Sequence, residues 1–182
     1  MLNQMIQNQE LLAAAVGFLG VMASLLFNGW LSRAQFQRSI HHKRQSLRIA
    51  ILEELGIIKE NANTFQSRLR GWKRNMEEGE EYIYIAFFDQ TDVYKSFLAD
   101  LSLLRSEEIQ RTLKAYYYFK QFHSKMQIFA ELDGRTSSMA AIPVADADDL
   151  DSNASELKEY VSDAKSVLQA GHEKDSKTTE SV

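Results

Sequence analysis

The chain contains no cysteine, a single proline and only eight glycines in 182 residues. Without cysteine there is no disulfide, no thiolate nucleophile and no cysteine-ligated metal, which agrees with a reducing compartment. So little proline and glycine argues against a strand-and-turn architecture and for long helices. No Walker-type glycine loop, GxSxG elbow or HExxH pair occurs, so none of the commoner catalytic frameworks can be assembled. Charge of any kind is missing from Leu11 to Leu31, and carboxylates are missing from Leu11 to Leu52. The net charge of −4 therefore conceals a polarity. Basic residues follow the uncharged run, whereas residues 133–182 hold 11 acids against 5 bases.

The uncharged run LLAAAVGFLGVMASLLFNGWL has the length of a bilayer crossing, because a helix of about 21 residues rises about 31 Å, close to the hydrocarbon thickness. A cleaved signal peptide fits poorly. Residues 1–10 contain no Lys or Arg, and Phe27-Asn28-Gly29-Trp30 is a poor cleavage site. Arg33, Arg38, Lys43, Arg44 and Arg48 follow the run and none precedes it. By the positive-inside rule the N-terminus is expected outside an inner membrane and the C-terminal part in the cytoplasm. The organisation expected is a short extracytoplasmic tail (1–10), a transmembrane helix (11–31), a basic juxtamembrane helix with a helical bundle (32–132), a linker (133–149), an amphipathic helix (150–171) and a disordered tail (172–182).

The fold class expected is all-α: one N-terminal transmembrane helix continuing into an antiparallel bundle, with a separate C-terminal amphipathic helix. Ile51, Leu55, Ile58, Ala62, Phe65, Leu69, Trp72 and Met76 repeat at spacings of 4 and 3, the seam of a coiled coil or of a bundle face. Leu52 and Ile57 widen it, which favours a bundle. Gly71, Gly79 and the acidic run 77–81 place the helix end near 76–79. Residues 81–90, EYIYIAFFDQ, have strand composition but no evident partner strand, so they are expected to be an apolar connection or short helix. Thr91 is expected to cap a short helix, and Ser106 a longer one that carries Ile109, Leu113, Tyr116, Phe119, Phe122, Met126 and Phe129 and stops near Asp133-Gly134. The stretch 134–149 holds the only proline and is expected to be a linker. Leu150, Ala154, Leu157, Val161, Ala164 and Leu168 then define a narrow, alanine-rich helical stripe expected to dock weakly on the bundle or on another chain, with Gly171 ending it.

Two sets of candidate site residues follow. Arg33, Arg38, Lys43, Arg44 and Arg48 are expected to contact lipid head groups, since cations beside a bilayer are attracted to anionic lipid. Ala13, Gly17, Gly20, Ser24 and Asn28 share one face of the uncharged run, and small residues there let two membrane helices approach, giving a route to a homo-oligomer. No metal or cofactor site is expected, because the adjacent His41 and His42 point about 100° apart on a helix. Nucleic acid is not an expected partner. The aromatic run Tyr116–Phe119 must turn at least two rings into the core, and residues 82–132 balance 6 acids with 6 bases. His123 shares the face of Tyr116, Phe119 and Met126 and is expected to be a core or rim histidine.

The layout from 11 to 132, with Leu47, Arg48, Ile51, Glu54 and Leu55 followed by Val93, Asp100, Leu101, Leu104, Ile109 and Tyr117, resembles a class of short bacterial single-span membrane proteins of unknown function. That resemblance implies no catalytic or ligand residue. The function expected is a membrane-tethered scaffold or adaptor, not an enzyme, presenting its bundle to a protein partner. The alternative is an effector that oligomerises through its span and permeabilises the bilayer.

Overall fold

The computed structural model describes the backbone of residues 2–75, 81–86, 96–132 and 139–180, and side-chain surroundings within 20–75, 81–85, 96–130 and 140–177. The elements in order are α1 (Leu2–Asn75), β1 (Tyr82–Ala86), a 3-10 turn (Leu98–Leu103), α2 (Ser106–Leu132), β2 (Met139–Pro143), a second 3-10 turn (Val144–Asp146) and α3 (Ala147–Glu180). Helix accounts for 92% of the described residues, which establishes the all-α class. Among the described residues no helix is long and apolar enough to cross a membrane. The expected span at 11–31 falls partly on residues 1–19, whose side chains lie outside the described set. The chain divides into two compact units, residues 1–43 and 44–182.

In the first unit the described side chains belong to α1 alone. Every one from Gly20 to Arg33 is exposed, including Val21, Leu25, Leu26, Phe27 and Trp30 at 60–71%.

In the second unit three helices share one core. From α1 come Leu47, Ile51, Leu55, Ile58 and Ala62, from α2 Ala115, Tyr116 and Phe119, and from α3 Leu157, Val161, Ala164 and Leu168. The seam of α1 is buried from Ile51 through Leu69 as its spacing requires, while Trp72 is exposed and Met76 lies outside the described residues. Ile57 is also exposed, so the stripe widens toward Leu52 only.

Three expectations are corrected here. Residues 82–86 are a strand, paired antiparallel with β2 in the register Tyr82↔Pro143 through Ala86↔Met139. Residues 87–90 lie outside the described set. The partner escaped the sequence because Ala140, Ala141 and Ile142 are all buried, so β2 shows no alternation. A two-stranded ribbon is marginal alone. Here Ile83, Ile85 and Ile142 are covered by Phe65, Leu69, Met126, Leu150 and Ala154, the second core cluster. The linker expected at 133–149 thus contains β2, a 3-10 turn and the start of α3. Finally, α3 neither stops at Gly171 nor docks weakly. It runs to Glu180, contradicting a disordered tail from 172, and every residue of its apolar stripe is at most 1% exposed.

Polar ties run along the same contacts. Gln66 Nε2 donates to the Asp151 carbonyl at 2.9 Å and to Ser155 Oγ at 2.8 Å. Lys73 pairs with Asp148, Lys125 with Asp149 at 2.9 Å, and Arg111 with Asp163 at 2.7 Å.

Candidate functional site

The densest chemistry in the second unit is a buried ion cluster built by all three helices. Arg48 of α1 is wholly buried. Its Nε donates to Glu108 Oε1 at 3.0 Å and its Nη2 to Oε2 at 3.2 Å, a two-pronged grip on one carboxylate, while Nη1 donates to Asp175 Oδ2 at 2.6 Å. Arg105 Nη2 reaches Asp175 Oδ1 at 2.6 Å, and Arg44 lies 3.7 Å from the same carboxylate.

Glu108 has a second task. The Arg105 carbonyl accepts the first helical bond of α2, from the Ile109 amide at 2.9 Å, which makes Arg105 the residue flanking the helix. Glu108 Oε2 accepts from the Arg105 amide at 2.8 Å, the return half of a capping box. The expected cap, Ser106, is instead the first helical residue. One carboxylate therefore both starts α2 and neutralises Arg48.

Gly171 makes room for this carboxylate. A Cβ there would lie 3.1 Å from Glu108 Cδ and 3.2 Å from Arg48 Nη2, and closer still to Glu108 Oε1. Helix α3 can therefore cross the cluster only where it has no side chain. A second buried pair sits further along, where the Tyr116 hydroxyl donates to the Glu54 carboxylate.

Burial would raise the pKa of Asp175, but the hydrogen bond from Arg48 and the charges of Arg48, Arg105 and Arg44 outweigh it, so the carboxyl is held below its ordinary 3.8. A depressed carboxyl contributes stability that is present above the ordinary value and lost as pH falls through the value it has in the fold. The urea midpoint of the wild-type protein is expected to fall on acidification below about pH 4. In Asp175→Asn the midpoint should be lower at neutral pH and the acid slope shallower. Equal slopes would remove Asp175 from the acid response.

What this arrangement does chemically is bounded by its saturation. All three guanidinium nitrogens of Arg48 are engaged by carboxylates, which suits a structural clamp. Away from the cluster, about three turns further along α1 and α2, a cavity of about 40 Å³ lined by Ile58, Phe65, Phe119, Phe122, His123 and Met126 has the size of a bound water or two. His123 is buried there beside Phe119, their rings 6.0 Å apart, in the core position expected. Among the described residues no group of histidines and acids is placed to hold a metal.

The residues expected to meet lipid separate into two classes. Arg33, Arg38 and Lys43 are exposed. Arg48 is not available to lipid, being sealed between Glu108 and Asp175, and Arg44 is mostly drawn inward, its Nε donating to the Leu103 carbonyl at 2.6 Å. Arg48 is a correction, because buried carboxylates of α2 and α3 hold its guanidinium at close range, whereas Arg44 keeps about a third of its side chain exposed. Of the expected helix-packing face, Gly20, Ser24 and Asn28 are exposed and Gly20 has no atom within 4 Å of a built Cβ. The side chains of Ala13 and Gly17 lie outside the described set.

No family model matches the chain, and no curated protein or solved structure matches it.

Proposed function

We propose that the protein is a membrane-tethered helical scaffold, in which the N-terminal part of α1 enters a bilayer and residues 44–182 present a clamped three-helix body to a protein partner at the inner face. The observation that carries this reading is the exposure of Val21, Leu25, Leu26, Phe27, Trp30 and Leu31 on a helix segment that is uncharged from Leu11 onward. Large apolar side chains gain about 1.5–3 kcal/mol each when removed from water. Exposure on every side of one helix asks for a continuous apolar surround, which hydrocarbon supplies. The basic residues after the run favour an outside N-terminus and a cytoplasmic body.

A docking face for the partner is supported by α2, where Leu113, Tyr117 and Ile128 share one helical side and are 39%, 58% and 55% exposed. The test has two arms. Membranes from expressing cells are extracted at alkaline pH, and a photocrosslinking residue replaces Tyr117, Ile128 or, as a control, Glu159 on α3. The protein is expected to stay with the membrane, and discrete higher-mass adducts should form from positions 117 and 128 but not from 159. Release at alkaline pH would defeat the tether, and adducts from none of the positions would defeat the scaffold. Collapse of the membrane potential on expression would favour a permeabilising effector instead.

A further inference from the structure

We infer that Arg33, Arg38 and Lys43 form a collar for the head groups of anionic phospholipids, a site that rests on the tether reading and adds to it the lipid class. The cations that follow the uncharged run divide between Lys43 and Arg44. Arg44 and Arg48 are committed to acids and a carbonyl of the second unit. Arg33, Arg38 and Lys43 are exposed and, among the described residues, have no ion-pair partner. No acid lies near them in sequence either, the first after Glu10 being Glu53. Among the described side chains of their own unit no carboxylate offsets their positive charge.

Their spacing decides the form of the site. Steps of five residues turn a helix by about 140° each, so the three side chains leave α1 in three different directions. A helix lying flat on a membrane needs its cations on one face. A helix passing through the head-group layer meets phosphates on all sides, and a three-way collar suits that geometry. Along the axis, Arg33 stands about 3 Å beyond Leu31, Arg38 about 10 Å and Lys43 about 18 Å. With a head-group region of roughly 5–8 Å per leaflet, Arg33 falls inside the layer and Arg38 at its edge, within reach of its long side chain. Lys43 acts through the diffuse field, which decays over about 8 Å at physiological salt. Trp30 and Phe36, both about two-thirds exposed, flank Arg33 and supply the apolar half of an interfacial contact.

The experiment uses the full chain reconstituted in phosphatidylcholine bilayers that contain spin-labelled phosphatidylglycerol or spin-labelled phosphatidylcholine, reading the fraction of each label immobilised at the protein. At low salt the wild-type is expected to prefer the anionic label by about threefold to tenfold. The preference should fall below about 1.5-fold in Arg33→Gln/Arg38→Gln/Lys43→Gln and shrink in raised salt. Single changes should rank Arg33 and Arg38 above Lys43, and Lys120→Gln, an exposed change on α2, should leave the preference intact. No preference in a protein that immobilises both labels overturns this inference alone. So does a preference that survives the triple change. A protein that leaves the bilayer at alkaline pH overturns the tether and the collar together.

Discussion

Replacing Arg48 with Ala is expected to destabilise the three-helix unit by about 3–5 kcal/mol, because it leaves Glu108 and Asp175 buried with their main counter-charge removed. Arg105 still reaches Asp175, but its side chain is 44% exposed and its pairing is correspondingly weaker. Glu108 retains only the Arg105 amide. Urea unfolding of the full chain, followed by Trp72 fluorescence in a Trp30→Phe background, reports the second unit alone. A loss under about 1 kcal/mol would mean that water already penetrates the cluster and that the clamp is not closed in solution.

The same cluster allows a sharper comparison. Breaking one member of a buried ion group is costly, whereas neutralising all members together removes both the attraction and the desolvation penalty. Arg48→Met combined with Glu108→Gln and Asp175→Asn should therefore recover much of the loss, to within about 2 kcal/mol of wild type. Gln at 108 keeps an acceptor for the Arg105 amide, so the start of α2 is preserved. If the triple variant is as unstable as Arg48→Ala, the cluster contributes through its shape as well as its charge.

How much of this was legible depends on how far each apolar repeat was followed. The seam of α1 extends backward from Ile51 by 3 and then 4 residues to Arg48 and Arg44. That of α3 extends forward from Leu168 by 3 and then 4 to Gly171 and Asp175. The buried face continues through Arg48, Gly171 and Asp175 and reaches a half-buried Arg44, but a reading that stops at the last hydrophobic residue ends each seam one turn short and assigns the arginines to lipid and the glycine to a helix end. In α2 the buried face is Glu108, Thr112, Ala115, Tyr116, Phe119, His123, Met126 and Ala130, so Leu113 is exposed and Ile109 only half-buried. Polar residues at its first two positions displaced the apparent stripe by one residue over its first two turns, while Tyr116, Phe119 and Met126 lie where the spacing put them. The core of α1 was legible because apolar residues occupy its seam without interruption, and the ends of α2 were legible from Ser106 with its first-turn acids and from Asp133-Gly134. The ribbon was not, since β2 is short, alanine-rich and buried on both sides of its pleat.

Gly171→Ala is expected to reverse the usual sign of a glycine-to-alanine change in a helix. At Gly71, where a built Cβ meets no atom within 4 Å, alanine should stabilise the protein by about 0.5–1 kcal/mol through helix propensity alone. Gly171 carries the same propensity gain, yet its new methyl would overlap the Glu108 carboxylate. Glu108 cannot step aside cheaply, because the movement would loosen two hydrogen bonds from Arg48 and the cap on the Arg105 amide. Hydrogen bonds to charged groups contribute about 1.5–3 kcal/mol each, and overpacking a core costs about 1–3 kcal/mol, so a net loss of about 2–3 kcal/mol should remain. The Glu108→Ala background isolates the cause. With the carboxylate gone, the remaining close contact is Arg48 Nη2 at 3.2 Å, on a side chain released from its grip on Glu108 and able to give by a few tenths of an ångström, so Gly171→Ala should lose most of its penalty there. A penalty at Gly171 that persists undiminished in that background would place the clash elsewhere, and would show that α3 is held against this end of the body by something other than the carboxylate of Glu108.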